Sequence, residues 1–270
     1  MGVVQFATNP WGQSVPIHIA FYLIWVSAIG GLAFLVVHAI YVAFIARKEV
    51  HVEFAPELAA KVPAQVPRHS LAARLFHWIM ALAMLALLIT AFVPKVGYQF
   101  PWVTYHWIAG LVLTASIIFH IIHASFWMDF WSIWPDRIDI EDGKRRWLRA
   151  TGKSAPAPRK FAKYPMENKM YHLIIVFAGL SVTLTGLFMM KRVRTPFFTR
   201  NPYLFSDMTW GLMYVLHGLA GVGLIALIMV HIYFALRPEK FVITKSMVYG
   251  TLPREYYLEH HDPDRWAATK

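Results

Sequence analysis

Five long apolar runs, separated by polar stretches, dominate the pattern along the chain: Ile17–Ala46, Leu75–Val93, Trp102–Trp127, Met170–Met190 and Met208–Leu236. Each is long enough to cross a hydrocarbon core of about 30 Å as a helix. None contains Asp, Glu, Lys or Arg, so histidine is the only side chain in them that changes charge near neutral pH. The predicted fold is an all-α integral membrane protein with five spans. An ionisable residue at membrane depth marks function by default, which makes the histidines the residues to follow.

The pattern is duplicated. Arg74-Leu-Phe-His77 opens the second span, which closes with Thr90-Ala91; Lys169-Met-Tyr-His172 opens the fourth, which closes with Thr185-Gly186 at the same offset. The third and fifth spans share His-x-x-Ala-Gly, as His106 to Gly110 and His217 to Gly221, and each carries a second histidine fourteen positions on, His120 and His231. Spans two–three and four–five are thus two copies of one helical hairpin. They form a four-helix bundle, and the first span is an additional N-terminal transmembrane helix.

Fourteen helical positions put two imidazoles on nearly one face, roughly 21 Å apart along the axis. That separation suits two cofactors stacked across a bilayer. A glycine four residues after a histidine lies on the same face, where a missing side chain lets a flat ring rest on the backbone. The signature reads as haem ligation, with Gly110 and Gly221 as the packing positions.

Charge sets the topology. Of the 26 basic residues only Lys95, Lys191, Arg192, Arg194 and Arg200 fall on one side of the five spans. Arg47, Lys48, Lys61, Arg68 and Arg74, the loop after the third span and the tail lie on the other side. The positive-inside bias predicts an N-terminus outside and a tail in the cytoplasm. The net charge of +11 is therefore a topology and lipid signal, not a nucleic-acid footprint. The first eighteen residues lack Lys and Arg, so the first span is expected to stay as a helix and not be cleaved as a signal peptide.

With no cysteine, this chain has no disulfide, Cys-ligated iron–sulfur cluster, Cys-x-x-Cys-His haem attachment or thiolate zinc site. Any haem is non-covalent, and any iron–sulfur donor sits on another polypeptide. Depth then sorts the ligands. His106 and His217 lie together near the outer surface; towards the cytoplasm His231 has two mates, His77 and His120, and spacing symmetry alone favours His120. His18, His38 and His123 read as polar residues satisfied locally, and the aromatics at span ends, such as Trp102, Tyr105 and Trp210, read as interfacial anchors.

Three function classes compete. Two bis-His haems suit one-electron relay. A histidine-dependent transporter or proton channel lacks an intramembrane carboxylate. A di-metal membrane oxidase needs several His-x-x-His motifs, and only His120-x-x-His123 fits. The chain divides into residues 1–67, the additional helix and its cytoplasmic loop; 68–240, the bundle; and 241–270, a cytoplasmic tail. Within the bundle, the loop 129–168 shows no apolar periodicity and is expected to dock a partner or to order only beside one.

Combined motifs resemble a known family. Ala73-Arg74-Leu-Phe-His77-Trp78, the His106-x-x-x-Gly110 helix, Asn168-Lys169 before a span ending Leu184-Thr185-Gly186, and His217 with His231-Ile-Tyr233-x-Ala235 are similar to the cytochrome b (gamma) subunit of membrane-bound respiratory formate dehydrogenase and related bacterial di-haem cytochromes b. So is the tail, Lys245-x-Met247-x-x-Gly250 followed by His260-His261-x-Pro263-x-x-Trp266. The resemblance covers about Arg68 to Trp266.

It implies two haem b groups, His106 with His217 for the outer and His77 with His231 for the inner. It also implies a quinone pocket around Pro165, Asn168 and Lys169, to which His172 is added as a candidate at the same helix start. The implied role is an electron-transfer and quinone-reacting subunit in a bacterial inner membrane. Its implied partners are a catalytic dehydrogenase subunit, a molybdenum or tungsten enzyme, and an iron–sulfur subunit; a hydrogenase is the alternative donor. Residues 1–67, His120 and His172 depart from the family pattern, and a third haem between His120 and His172 is geometrically thinkable.

Overall fold

The computed structural model describes residues 2–45 and 59–268; Ala46, Arg47, Lys48 and Lys270, which belong to the first predicted span, the basic loop and the tail, lie outside the described residues. In chain order the elements are β1 (Val4–Thr8), β2 (Ser14–Ile19), α1 (Tyr22–Phe44), β3 (Gln65–Pro67), α2 (Leu71–Phe92), α3 (Trp102–Trp127), α4 (Arg137–Ala150), α5 (Met166–Met189), α6 (Asp207–Leu236), α7 (Phe241–Tyr249), β4 (Thr251–Pro253) and α8 (Arg254–His260). Helices α1, α2, α3, α5 and α6 are each long and apolar enough to cross a membrane. Their outer faces carry bare apolar side chains: Leu82 and Phe177 are about two-thirds exposed. In water each would forgo roughly 1.5–3 kcal/mol of burial, so this surface belongs in hydrocarbon.

The chain forms two compact units. The first gathers the N-terminal segment with Trp78–Ile118 and Ile175–Tyr233. Ile17 to Ile19, read from sequence as the start of the first span, belong instead to β2 of an antiparallel hairpin whose turn is closed by Asn9 Oδ1 accepting from the Trp11 and Gln13 amides. The hairpin lies against α6: a Cβ on Gly211 would sit 1.8 Å from the Pro16 carbonyl oxygen, so only glycine fits there. Helix α1 continues the contact, with Ser27 Oγ donating to the Val222 carbonyl at 2.6 Å and Gly31 packed on Met229 and Ala226.

The second unit gathers the described stretch ending at His77 with Phe119–Ile174 and the tail from Phe234. A small core forms where β3 pairs with β4, Val66 opposite Leu252, and Val62, Tyr257 and Leu258 pack beside them. Gly250, at φ +87, caps α7 in the left-handed region, and its carbonyl accepts from the Arg68 and His69 amides. His261 is buried, its Nδ1 within 2.7 Å of the Ala162 carbonyl, and burial pushes it down to about 3, so it is neutral.

The segment 129–168, expected to dock a partner or to order only beside one, contains the fourteen-residue helix α4 (Arg137–Ala150). Asp136 and Asp139 form a reciprocal capping box, satisfying two backbone donors at the helix start. The helix is then tied down by charge and not by apolar burial, which is why hydropathy does not reveal it. Lys169, 2% exposed, lies 2.5 Å from Asp139, which also accepts from Arg265 at 3.0 Å. Burial alone would raise the Asp139 carboxyl, yet the hydrogen bonds from Lys169, the Asp136 backbone and Arg265 hold it below the usual carboxylate range.

Breaking a buried pair strands the surviving charge. Lys169→Met is therefore expected to destabilise the second unit by about 3 kcal/mol, and Lys169→Met with Asp139→Asn to recover part of that. Thermal unfolding of the detergent-solubilised protein checks the order of the two variants; equal stability of Lys169→Met and the unaltered chain would refute a structural pair.

Candidate haem-binding site

In the first unit α3 and α6 bring His106 and His217 together edge-on, with ring centres 6.1 Å apart and planes inclined at 66°. A metal bound to two imidazoles at roughly 2 Å from each nitrogen sets ring centres about 6 Å apart, so the pair has the spacing of two axial ligands. Among the described residues no group of three or more His, Asp or Glu gathers to hold a metal ion, so the ligation on offer is pairwise.

Each ring is held from behind by the helix before it. Thr90 Oγ1 on α2 donates to the Ala86 carbonyl at 2.7 Å, which uses its one proton, and its oxygen lies 2.9 Å from His106 Nδ1. Thr185 on α5 repeats this, with Ser181 as carbonyl partner at 2.5 Å and His217 Nδ1 at 3.0 Å. A hydroxyl whose proton is committed accepts from Nδ1–H, which fixes the tautomer and leaves Nε2 as the free lone pair. Partners of this kind orient metal-bound histidines and raise ligand basicity.

The glycines divide by task. A Cβ on Gly186 would meet His217 Cε1 at 3.3 Å, so that glycine lets the ring lie close to α5. A Cβ on Gly221 would meet nothing within 4 Å, and one on Gly110 only Leu87 Cδ2 at 3.9 Å. Helix packing therefore does not require Gly110 or Gly221, although each costs the helix about 1 kcal/mol relative to Ala. The open space beside both leaves room for a flat macrocycle on the ligand-bearing face, as it does beside Gly179 and Gly223. The residues present fit a haem.

A sequence model of the prokaryotic cytochrome b561 family matches residues 68–250. The chain belongs to that family. It is a multi-pass membrane cytochrome b that binds haem b. The match starts at Arg68, where the sequence resemblance starts, and leaves out the β1–β2 hairpin and α1. No curated protein matches the chain.

The remaining candidates are placed as follows. His77 lies in the second unit and His231 in the first. In the second unit His120 stacks flat on Phe76, ring centres 4.3 Å apart, and meets His172 edge-on at 6.4 Å and 70°. His172 also touches the Trp134 ring at 5.9 Å, and its Nδ1 is buried with no hydrogen-bond partner among the described residues. Asn168 is exposed on the first turn of α5 beside buried Pro165, while the Lys169 amine faces Asp139. Of the histidines expected to be satisfied locally, His18 bonds the Ile19 carbonyl and His38 the Tyr233 hydroxyl; His123 Nδ1 is buried without a partner among the described residues, between the rings of Phe119 and Trp127.

Thr90 and Thr185 are the functional residues that sequence reasoning passed over. Both stood out as matching ends of the repeated span, but only the fold shows that the offset aims them at His106 and His217. Thr185→Val, which keeps shape and removes the acceptor, is expected to weaken haem retention at this pair about 10- to 100-fold. Haem loss to apomyoglobin, followed optically, measures it; an unchanged loss rate would make the hydroxyl contact incidental.

Proposed function

We propose that this chain is the di-haem cytochrome b subunit of a bacterial respiratory complex, relaying electrons between a partner dehydrogenase and the quinone pool. The matched arrangement at His106 and His217, each with Nδ1–H held by a threonine of the preceding span, carries the reading. Haem b between two imidazoles supplies one-electron transfer and has no open coordination position for oxygen chemistry. In this reading His106 and His217 hold the outer haem, His77 and His231 the inner one, and the backbone at Gly110 and Gly221 receives the flat rings. The chain is then an electron-transfer and quinone-reacting subunit beside the catalytic one.

The partners follow from chemistry and resemblance. Without cysteine this chain holds no iron–sulfur cluster, so an iron–sulfur subunit hands electrons over from a formate dehydrogenase-like catalytic subunit. The skew of Lys and Arg supports an inner-membrane location with the N-terminus periplasmic and the tail cytoplasmic. A hydrogenase as donor is separated by the identity of the catalytic subunit that co-purifies. A purified protein without haem absorbance would restore the transporter reading.

The quinone contacts are assigned to Asn168 and His172, one turn apart on the same face of α5. A quinone carbonyl needs a donor, and the imidazole of His172, with Nδ1 unpartnered among the described residues, supplies one; the amine of Lys169 is occupied by Asp139. Replacing Asn168 with Leu and His172 with Phe is expected to slow haem reoxidation by added quinone while haem content and reduction by the donor stay unchanged. Stopped-flow reoxidation tests this, and an unaltered rate in the double variant puts the quinone elsewhere.

A further inference from the structure

Arg68 is 4% exposed, and its guanidinium Nε and Nη1 are buried with no hydrogen-bond partner among the described residues. Arg74 and Arg254 also carry a buried Nε without a partner among the described residues, whereas three arginines of the second unit are paired. Arg265 pairs with Asp136 and Asp139, Arg159 with Glu141 and Asp142, and Arg237 with Glu239. Burying a charged donor without an acceptor costs more than burying a neutral one, so a stable chain does not leave it unanswered.

The surroundings add to the positive charge. Tyr164 and Trp266 wall the guanidinium, at 5.5 and 6.0 Å from its carbon to the ring centres. Burial pushes His69 down to about 3, helped by Arg68, Lys163, His77 and Arg74, so the imidazole beside Arg68 is neutral and supplies no further cation. Asp129 acts on Lys163 and Tyr164, and no ion pair joins it to Arg68 among the described residues. The backbone is fixed as well, because the Arg68 amide donates to the Gly250 carbonyl at 2.8 Å. This is a cationic site with no paired anion among the described residues.

Position selects the anion. Arg68 precedes α2 by three residues, and His77 lies six residues into that helix, about 9 Å along the axis from its start. A haem held at His77 would bring its propionate carboxylates across that interval if they faced the start of the helix. We infer that Arg68, with Arg74 and Lys163 beside it, is the counter-cation for a propionate of the haem bound at His77. The inference rests on the di-haem reading above.

The test is electrochemical. A buried cation stabilises the reduced, more negative form of a neighbouring couple. In the purified holoprotein Arg68→Gln is expected to lower the midpoint potential of the His77 haem by about 59 mV, a tenfold change in the one-electron equilibrium constant. The His106/His217 haem is expected to stay unmoved, and Arg68→Lys to stay near the unaltered protein. An unmoved potential in Arg68→Gln, or equal shifts at both haems, overturns the assignment.

If Arg68→Gln does not accumulate, the unaltered chain is refilled with haem dimethyl ester, which has no propionate charge. Uptake at the His77 site should then fall at least tenfold relative to the other site, and equal uptake overturns the inference. Loss of a bound phospholipid phosphorus from Arg68→Gln, with both potentials unmoved, assigns the guanidinium to a lipid phosphate and overturns it too. His77→Ala keeps the two readings apart. No haem lost from His77→Ala removes the di-haem reading, whereas a His77 haem indifferent to Arg68 removes only this inference.

Discussion

Replacing His217 with Ala is expected to remove one of two low-spin b-type haem signals and to halve the haem-to-protein ratio, and His106→Ala to do the same. The two rings stand 6.1 Å apart, each oriented by its own threonine, so neither can be spared without leaving the opposite imidazole as a single ligand. The signal assigned to His77 and His231 should survive both substitutions. Because deletion also leaves a cavity in a packed unit, a loss of a few kcal/mol of stability and a lower yield should accompany it. Retention of both haems in both variants would sink the pairing, and loss of both in either one would mean that the two sites assemble as one.

A second informative comparison is His77→Ala against His120→Ala. In the proposed reading the first is expected to lose the inner haem and the second to keep it. His120 lies flat on Phe76 and edge-on to His172, an arrangement that aromatic packing explains without a metal. The reverse outcome would show that the internal repeat, which relates His120 to His231 by position, governs the site. Pyridine haemochrome assay against protein mass gives the count: a ratio near two is expected, and a ratio near three would give His120 and His172 a haem of their own.

The spans were legible because a membrane helix is written in composition alone, and Trp102–Trp127 agrees at both ends. Where the limits differ, a specific interaction explains it. Helix α5 starts at Met166, four residues before the apolar run, because Lys169 is neutralised by Asp139 and can be buried inside a helix. The first span starts later, at Tyr22, because His18 and Ile19 pair with β1 and Ile17 sits at the bulge before them. Helix α4 was hidden since its anchors are Asp139 and Asp142, not leucines; the Pro135-Asp136-x-x-Asp139 start was the available signal. The pairing of His106 with His217 was readable from repetition with glycine. Their threonine partners were not, because a hydroxyl at a span end has the same sequence signature whether it bonds its own helix or a neighbour's imidazole.

That the groups behind His106 and His217 are threonines has a redox consequence. A carboxylate in the same place would place a negative charge behind the ligand, favour the ferric state and titrate with the medium. A threonine hydroxyl carries no charge and does not titrate in the physiological range. The couple at this pair should therefore sit higher than a carboxylate-backed one and keep a flat potential as pH changes, so that electrons cross it without taking up a proton. In the proposed reading, proton uptake is then left to the quinone site, and the His106/His217 couple works as a purely electronic conductor.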